Sequence, residues 1–276
     1  MTSTAAAVSV PRLKQVGRVT QTRVLLSEWT KLHSLRSTRW SMGVGMLLTI
    51  AFPVIFAFVT ETHWTHLRPH ERADRHPLDI ALAGVTIAQL AIGVLGVLVI
   101  TGEYSTGMIR ATMCAVPKRL PALWAKLAVF AAATFALMLP AVLAAFFASQ
   151  AILSRHDILQ TSFSDPGVAR TVIGGALYLT VFGIFTLALG AIIRNTAGGI
   201  ATWVGLMFVL PPLMFALPSS WNHAISPYLP DSAGRAVFQL THGSDSLGPW
   251  TGFALFCGYT VAAVAIAAVL LVRRDT

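Results

Sequence analysis

Glu103, Gly107, Met108, Ile109 and Arg110 are the residues of this chain best composed to act on another molecule. A carboxylate and a guanidinium flank a glycine, and two large apolar side chains stand between them, joined further on by Met113. Such a set recruits charge and fills an apolar groove on a partner, which is docking chemistry rather than bond breaking. A second set is His63, His66, His70 and His76 with Glu61, Glu71, Asp74 and Asp79. Imidazole and carboxylate are zinc ligands, but Pro69 interrupts the helical face that His63 and His66 could share, and the segment reads as a solvated loop with pH-sensitive charge and no metal. His242, Ser244 and Asp245 are the letters of a hydrolytic triad, yet near neighbours in sequence do not supply its geometry, and a glycine-containing turn is the expectation there. Neither HExxH nor the GxxxxGK[ST] phosphate loop occurs, so hydrolysis of ATP by this chain is not expected.

The elements that position these residues follow from composition. Of 276 residues, 55% are hydrophobic and 11% charged, with mean hydropathy +0.69, against about 25% charged in an ordinary soluble domain. Six windows carry no charge at all: Ser41–Thr60, Ile80–Gly102, Leu127–Ser154, Thr171–Ile193, Asn195–Pro230 and Ser246–Val272. A hydrocarbon core about 30 Å thick takes roughly 20 apolar residues of helix to cross, and a helix satisfies its own backbone there. The fold class expected is all-α: a polytopic membrane protein of six transmembrane helices near 40–60, 80–102, 124–150, 171–193, 198–217 and 250–272. These form one domain over Val19–Thr276, preceded by a disordered cytoplasmic leader, Met1–Arg18.

Charge placement sets the expected orientation. Alternate connecting segments hold 14 of the 20 Lys and Arg residues against 6 in the others, so the positive-inside rule places both termini in the cytoplasm. Membrane insertion accounts for the net charge of +9, and no nucleic-acid partner is expected. Cys114 and Cys257 fall in different environments, which implies no disulfide framework. The expected site is the plasma membrane of a bacterial cell.

Two further elements lie outside the spans. Between Val19 and Arg36, Leu25, Trp29, Leu32 and Leu35 recur at helical spacing, with Arg23, Ser27, Thr30, Lys31 and Ser34 on the other side. That pattern suits an N-terminal helix in the membrane interface, and equally a helix packed on a cytoplasmic partner. Trp221–Leu240, containing Tyr228, Pro230 and Gly234, is apolar enough to dip back toward the membrane as a short re-entrant helical segment before the last span.

The sequence Ser27-Glu28-Trp29-Thr30-Lys31-Leu32, followed by Leu35-Arg36-Ser37-Thr38, resembles the start of the membrane-spanning permease subunits of type-2 ATP-binding-cassette (ABC) exporters in their actinobacterial form. Gly102–Arg110 after span two and Tyr228–Gly234 before span six are similar to that family in order and spacing. The resemblance implies an exporter permease working as a dimer with an identical or homologous second permease subunit and driven by separate ABC ATPase subunits. Its implied parts are a connecting helix at Val19–Arg36 (Leu25, Glu28, Trp29, Lys31, Leu32), a coupling helix at Gly107–Pro117, and a re-entrant outer segment at Trp221–Leu240. ATP and Mg would be bound by the ATPase partners and no cofactor by this chain, which is then a transport subunit and not an enzyme. Many relatives carry Gly-Thr where Gly107-Met108 stands here. A stand-alone secondary transporter or channel, or a membrane enzyme, are the alternatives.

Overall fold

The computed structural model describes residues 20–64, 68, 72, 76–108, 119–156, 160–240 and 246–273. The expected leader Met1–Arg18, Ile109 and Arg110, Cys114, the outer-loop residues His66 and His70, and the His242–Asp245 turn lie outside the described residues. What is described is helical, with no strand among the described residues. The helices are α1 (Gln21–Ser34), α2 (Arg36–His63), α3 (Pro77–Ser105), α4 (Arg119–Leu153), α5 (Val168–Ile193), α6 (Thr196–Met214), α7 (Ser219–Ile225), α8 (Pro230–Arg235) and α9 (Pro249–Arg273).

Six of these, α2, α3, α4, α5, α6 and α9, are long and apolar enough to cross a membrane. The chain is a multi-pass protein, and its regular elements are all helical among the described residues. Helix α5 is the most enclosed and carries the aromatic centre, Tyr178 and Phe182, fully buried with Trp203 of α6 set edge-on to Phe182. Helices α2 and α6 are the least enclosed, and Trp40, Leu47, Ile55 and Leu213 point away from the bundle.

The prolines are accommodated by specific local devices. Pro53 lacks the N–H that would bond the Thr49 carbonyl four residues back. Gly84 of α3 presses its backbone against that same carbonyl, and a Cβ there would overlap Thr49 O and stand 2.8 Å from Pro53 Cδ. In α6, Gly205–Val209 forms a wide π turn. It lies where Pro211 and Pro212 would otherwise strike the carbonyls of Met207 and Phe208. The helix then ends at Met214, three residues before the boundary expected from composition.

Helix α1 packs on α4 and α2. Its buried face is Val24, Glu28 and Leu32, spaced one turn apart, while Leu25, Trp29 and Leu35 are exposed. The apolar stripe read from the sequence is thus split, and a carboxylate occupies the inward face. Thr196 donates its hydroxyl proton to Thr101 Oγ1 at 2.8 Å, and Arg194 donates to the Leu270 carbonyl at 3.2 Å. These bonds place the ends of α3, α5 and α9 and the start of α6 at the α1 end. Helices α7 and α8 sit at the opposite end, with α8 packed on α5 and α9.

Candidate functional site

Four charged side chains meet at the α1 end. Lys126 Nζ donates to Glu28 Oε2 at 2.6 Å and to Glu103 Oε1 at 2.8 Å, while Lys31 Nζ donates to Glu28 Oε1 at 2.6 Å and to Glu103 Oε1 at 3.1 Å. The set balances two carboxylates with two ammonium groups. It draws on α1, the last turn of α3 and the third turn of α4, so three elements are tied by one charge network. Glu28, Glu103 and Lys126 are only 3%, 6% and 7% exposed. Buried charges persist only when paired and hydrogen-bonded, and here each finds two or more partners or, for Lys126, two carboxylates.

The electrostatics follow from that enclosure. Burial alone would raise the Glu28 pKa, but the ammonium groups of Lys126 and Lys31 and their hydrogen bonds outweigh it and hold the carboxyl below its ordinary value. Burial alone would likewise lower Lys31, and Glu28 and Glu103 outweigh it and push the ammonium pKa up. Both shifts favour the charged forms. Glu103 Oε2 is buried without a hydrogen-bond partner among the described residues. Beside it, the Arg194 guanidinium lies 5.0 Å over the Tyr104 ring, linking the tight turn between α5 and α6 to α3.

A second polar group lies at the α7–α8 end. Asp231 pairs with Arg235 one turn on, at 2.9 Å. Next to them Tyr178 donates to Gln89 Oε1 at 2.8 Å, both fully buried. Gly234 lies against the Tyr178 ring, where a Cβ would approach to 2.6 Å. Tyr178 is ten residues past the start of α5, about 15 Å along the helix, so α8 reaches well down the bundle. Arg170 fastens the segment by donating to the carbonyls of Val237 at 3.2 Å and Gln239 at 3.3 Å, and Tyr259 donates to the Tyr228 carbonyl at 2.8 Å. A cavity of about 520 Å³ opens here, lined by Asn222, His223, Ser226, Asp231, Arg235 and Gln239 among others, within the size range of small-molecule sites.

The residues named from sequence distribute as follows. Glu28, Lys31 and Glu103 come together, and Leu32 packs behind them. Leu25 and Trp29 face outward. Gly107 adopts φ +71°, ending α3 as a left-handed cap, and Met108 beyond it is exposed. Tyr228, Pro230 and Gly234 lie on the α7–α8 segment. Glu103, grouped in the sequence with the residues that recruit charge on a partner, is instead enclosed and pairs with lysines of its own chain. Lys126, within the third predicted span, lies inside α4, and it, Gln89, Tyr178, Asp231 and Arg235 were not singled out. Gln89 and Tyr178 are lone polar residues in apolar stretches, whereas Asp231 and Arg235 stand one helical turn apart in Pro230–Arg235, a spacing that marks a pair. No group of three or more His, Cys, Asp or Glu residues is placed to hold a metal ion among the described residues. The chain matches no family model, no curated protein and no solved structure.

Proposed function

We propose that this chain is the membrane-spanning permease subunit of a type-2 ABC exporter, lying in the plasma membrane with both termini cytoplasmic. It forms the translocation pathway as a dimer with an identical or homologous permease, and separate ATPase subunits that bind ATP and Mg drive it. The observation that carries the reading is the four-charge network, which fixes α1 rigidly to the helix ends bracketing residues 106–118. A chain without a phosphate loop receives force through contact. Gly107, Met108, Ile109 and Arg110 are the contact surface in this reading, and α1 with Glu28 and Lys31 is the brace that passes their displacement to spans two and three. Helices α7 and α8, with Tyr228, Pro230 and Gly234, are the re-entrant outer segment. The outward apolar faces of α2 and α6 meet lipid and the second permease.

The test is recovery of the affinity-tagged chain from its host membranes in mild detergent. The expected result is a co-purifying soluble subunit that contains a GxxxxGK[ST] loop and gives vanadate-sensitive ATPase activity. A chain that purifies alone and supports solute flux in liposomes without nucleotide would establish the channel or secondary-transporter reading instead.

A further inference from the structure

Between α1, α2 and α4 runs a groove of about 320 Å³ that the charge network does not use. Its walls are almost wholly apolar: Leu32 from α1, Met42, Gly43 and Met46 from α2, Ala133 and Leu137 from α4. Its mouth is different. Arg39 stands there with Trp29 and His33, whose rings lie 4.8 Å apart. The Arg39 guanidinium makes no ion pair and no hydrogen bond to any described residue, and no carboxylate lines the groove. A cation without a partner among the described residues, on the lip of a dry slot, is complementary to a molecule with an anionic head and a long apolar tail.

Placement favours a lipid as that molecule. Arg39 is in the first turn of α2, where the polar entry gives way to a charge-free span, and Trp29 and Trp40 beside it are the residues that mark a membrane–water boundary. Arg39, Met42, Gly43 and Met46 share one helix face, so a phosphate at Arg39 sends its chain directly along the slot. Gly43 keeps the slot open, since nothing lies within 4 Å of where its Cβ would stand. A second protein copy would have to supply an apolar plug and a separate carboxylate, whereas one anionic phospholipid carries both in the order the groove presents them. We propose that this groove holds one acyl chain of an anionic phospholipid, with the lipid phosphate against Arg39. The site depends only on the chain being in a membrane and is independent of the transport reading.

The full-length chain, delipidated in a neutral maltoside detergent, is titrated with phosphatidylglycerol or phosphatidylcholine, and lipid adducts are counted by native mass spectrometry. The first phosphatidylglycerol adduct is expected at about fivefold lower lipid concentration than the first phosphatidylcholine adduct, the factor one cation gives near an anionic headgroup. Arg39→Gln should erase that preference, and Gly43→Leu, which fills the slot, should weaken the first adduct of both lipids. Equal binding of the two lipids by the natural chain, or a preference that survives Arg39→Gln, overturns the proposal. Displacement of the lipid by millimolar inorganic phosphate also overturns it, because it would identify a free-anion site. If Gly43→Leu fails to accumulate, the Arg39→Gln comparison decides alone, since that exposed side chain packs on nothing the fold needs.

Discussion

Lys126 and Glu28, separated by 98 positions in the sequence, are joined at 2.6 Å in a setting where both are nearly removed from solvent. The pair converts an amphipathic helix outside the spans into a fixed part of the bundle. Its energetic character is asymmetric: keeping the pair adds little over a well-packed apolar pair, whereas removing one partner strands a buried charge. Lys126→Met should therefore destabilise the solubilised protein by about 3–5 kcal/mol. Glu28→Leu combined with Lys126→Met should recover much of that loss, because Lys31 and Glu103 remain to neutralise each other. Thermal unfolding in detergent, followed by tryptophan fluorescence, measures both; an additive loss in the double variant would contradict this account.

The same network predicts a pH profile. Glu28 has a folded pKa below its ordinary 4.5, so its stabilising contribution is present above 4.5 and is lost as pH falls through the lower folded value. Lys31 has a folded pKa above 10.5, so its contribution is complete below 10.5 and is lost as pH rises through the higher folded value. The difference in unfolding temperature between the natural chain and Glu28→Gln should be flat across neutral pH and shrink only on the acid side of 4.5. For Lys31→Met the corresponding difference should shrink only on the alkaline side of 10.5. A midpoint near neutrality for either would mean that the network is open in solution.

Much of this architecture was legible in the sequence because its cause is local. A run without charge long enough to cross the membrane is visible residue by residue, and each of the six predicted spans became a helix, with α6 shortened by the Pro211–Pro212 pair. The helicity of α1 was legible for the same reason, but its orientation was not. Periodicity grouped Leu25, Trp29, Leu32 and Leu35 on one apolar stripe, but of these only Leu32 is buried, and Glu28 turns inward to meet Lys126, far away in the chain. The Gln89–Tyr178 hydrogen bond was hidden likewise, since each residue interrupts an apolar run and only the packing of α3 on α5 makes them partners.

The close approach of α3 to α2 yields a sharper test of packing. A Cβ at Gly84 would overlap the Thr49 carbonyl, which is backbone and cannot rotate aside. Gly84→Ala is expected to cost about 1–3 kcal/mol from overpacking, whereas Gly258→Ala, with open space around its Cβ position, should cost nothing. Unfolding temperatures of the two variants against the natural chain check this, and equal tolerance would show that α2 and α3 slide freely at Pro53.

Orientation in the membrane gives the last prediction. Thr106 follows α3 at the α1 end, and Ser220 is in α7 at the other end, and both are exposed. The excess of Lys and Arg lies in the segments at the α1 end, 14 of 20, and cytoplasmic loops are the ones that retain such an excess. In a chain with Cys114 and Cys257 replaced by serine, a single cysteine at Ser220 should react with an impermeant maleimide on intact cells. One at Thr106 should react only after the membrane is permeabilised. The reverse pattern would put α1, its charge network and residues 106–118 outside the cell, beyond the reach of any ATP-hydrolysing partner, and would remove the transport proposal along with the orientation. Labelling of both on intact cells would mean that the bundle does not seal the membrane between them.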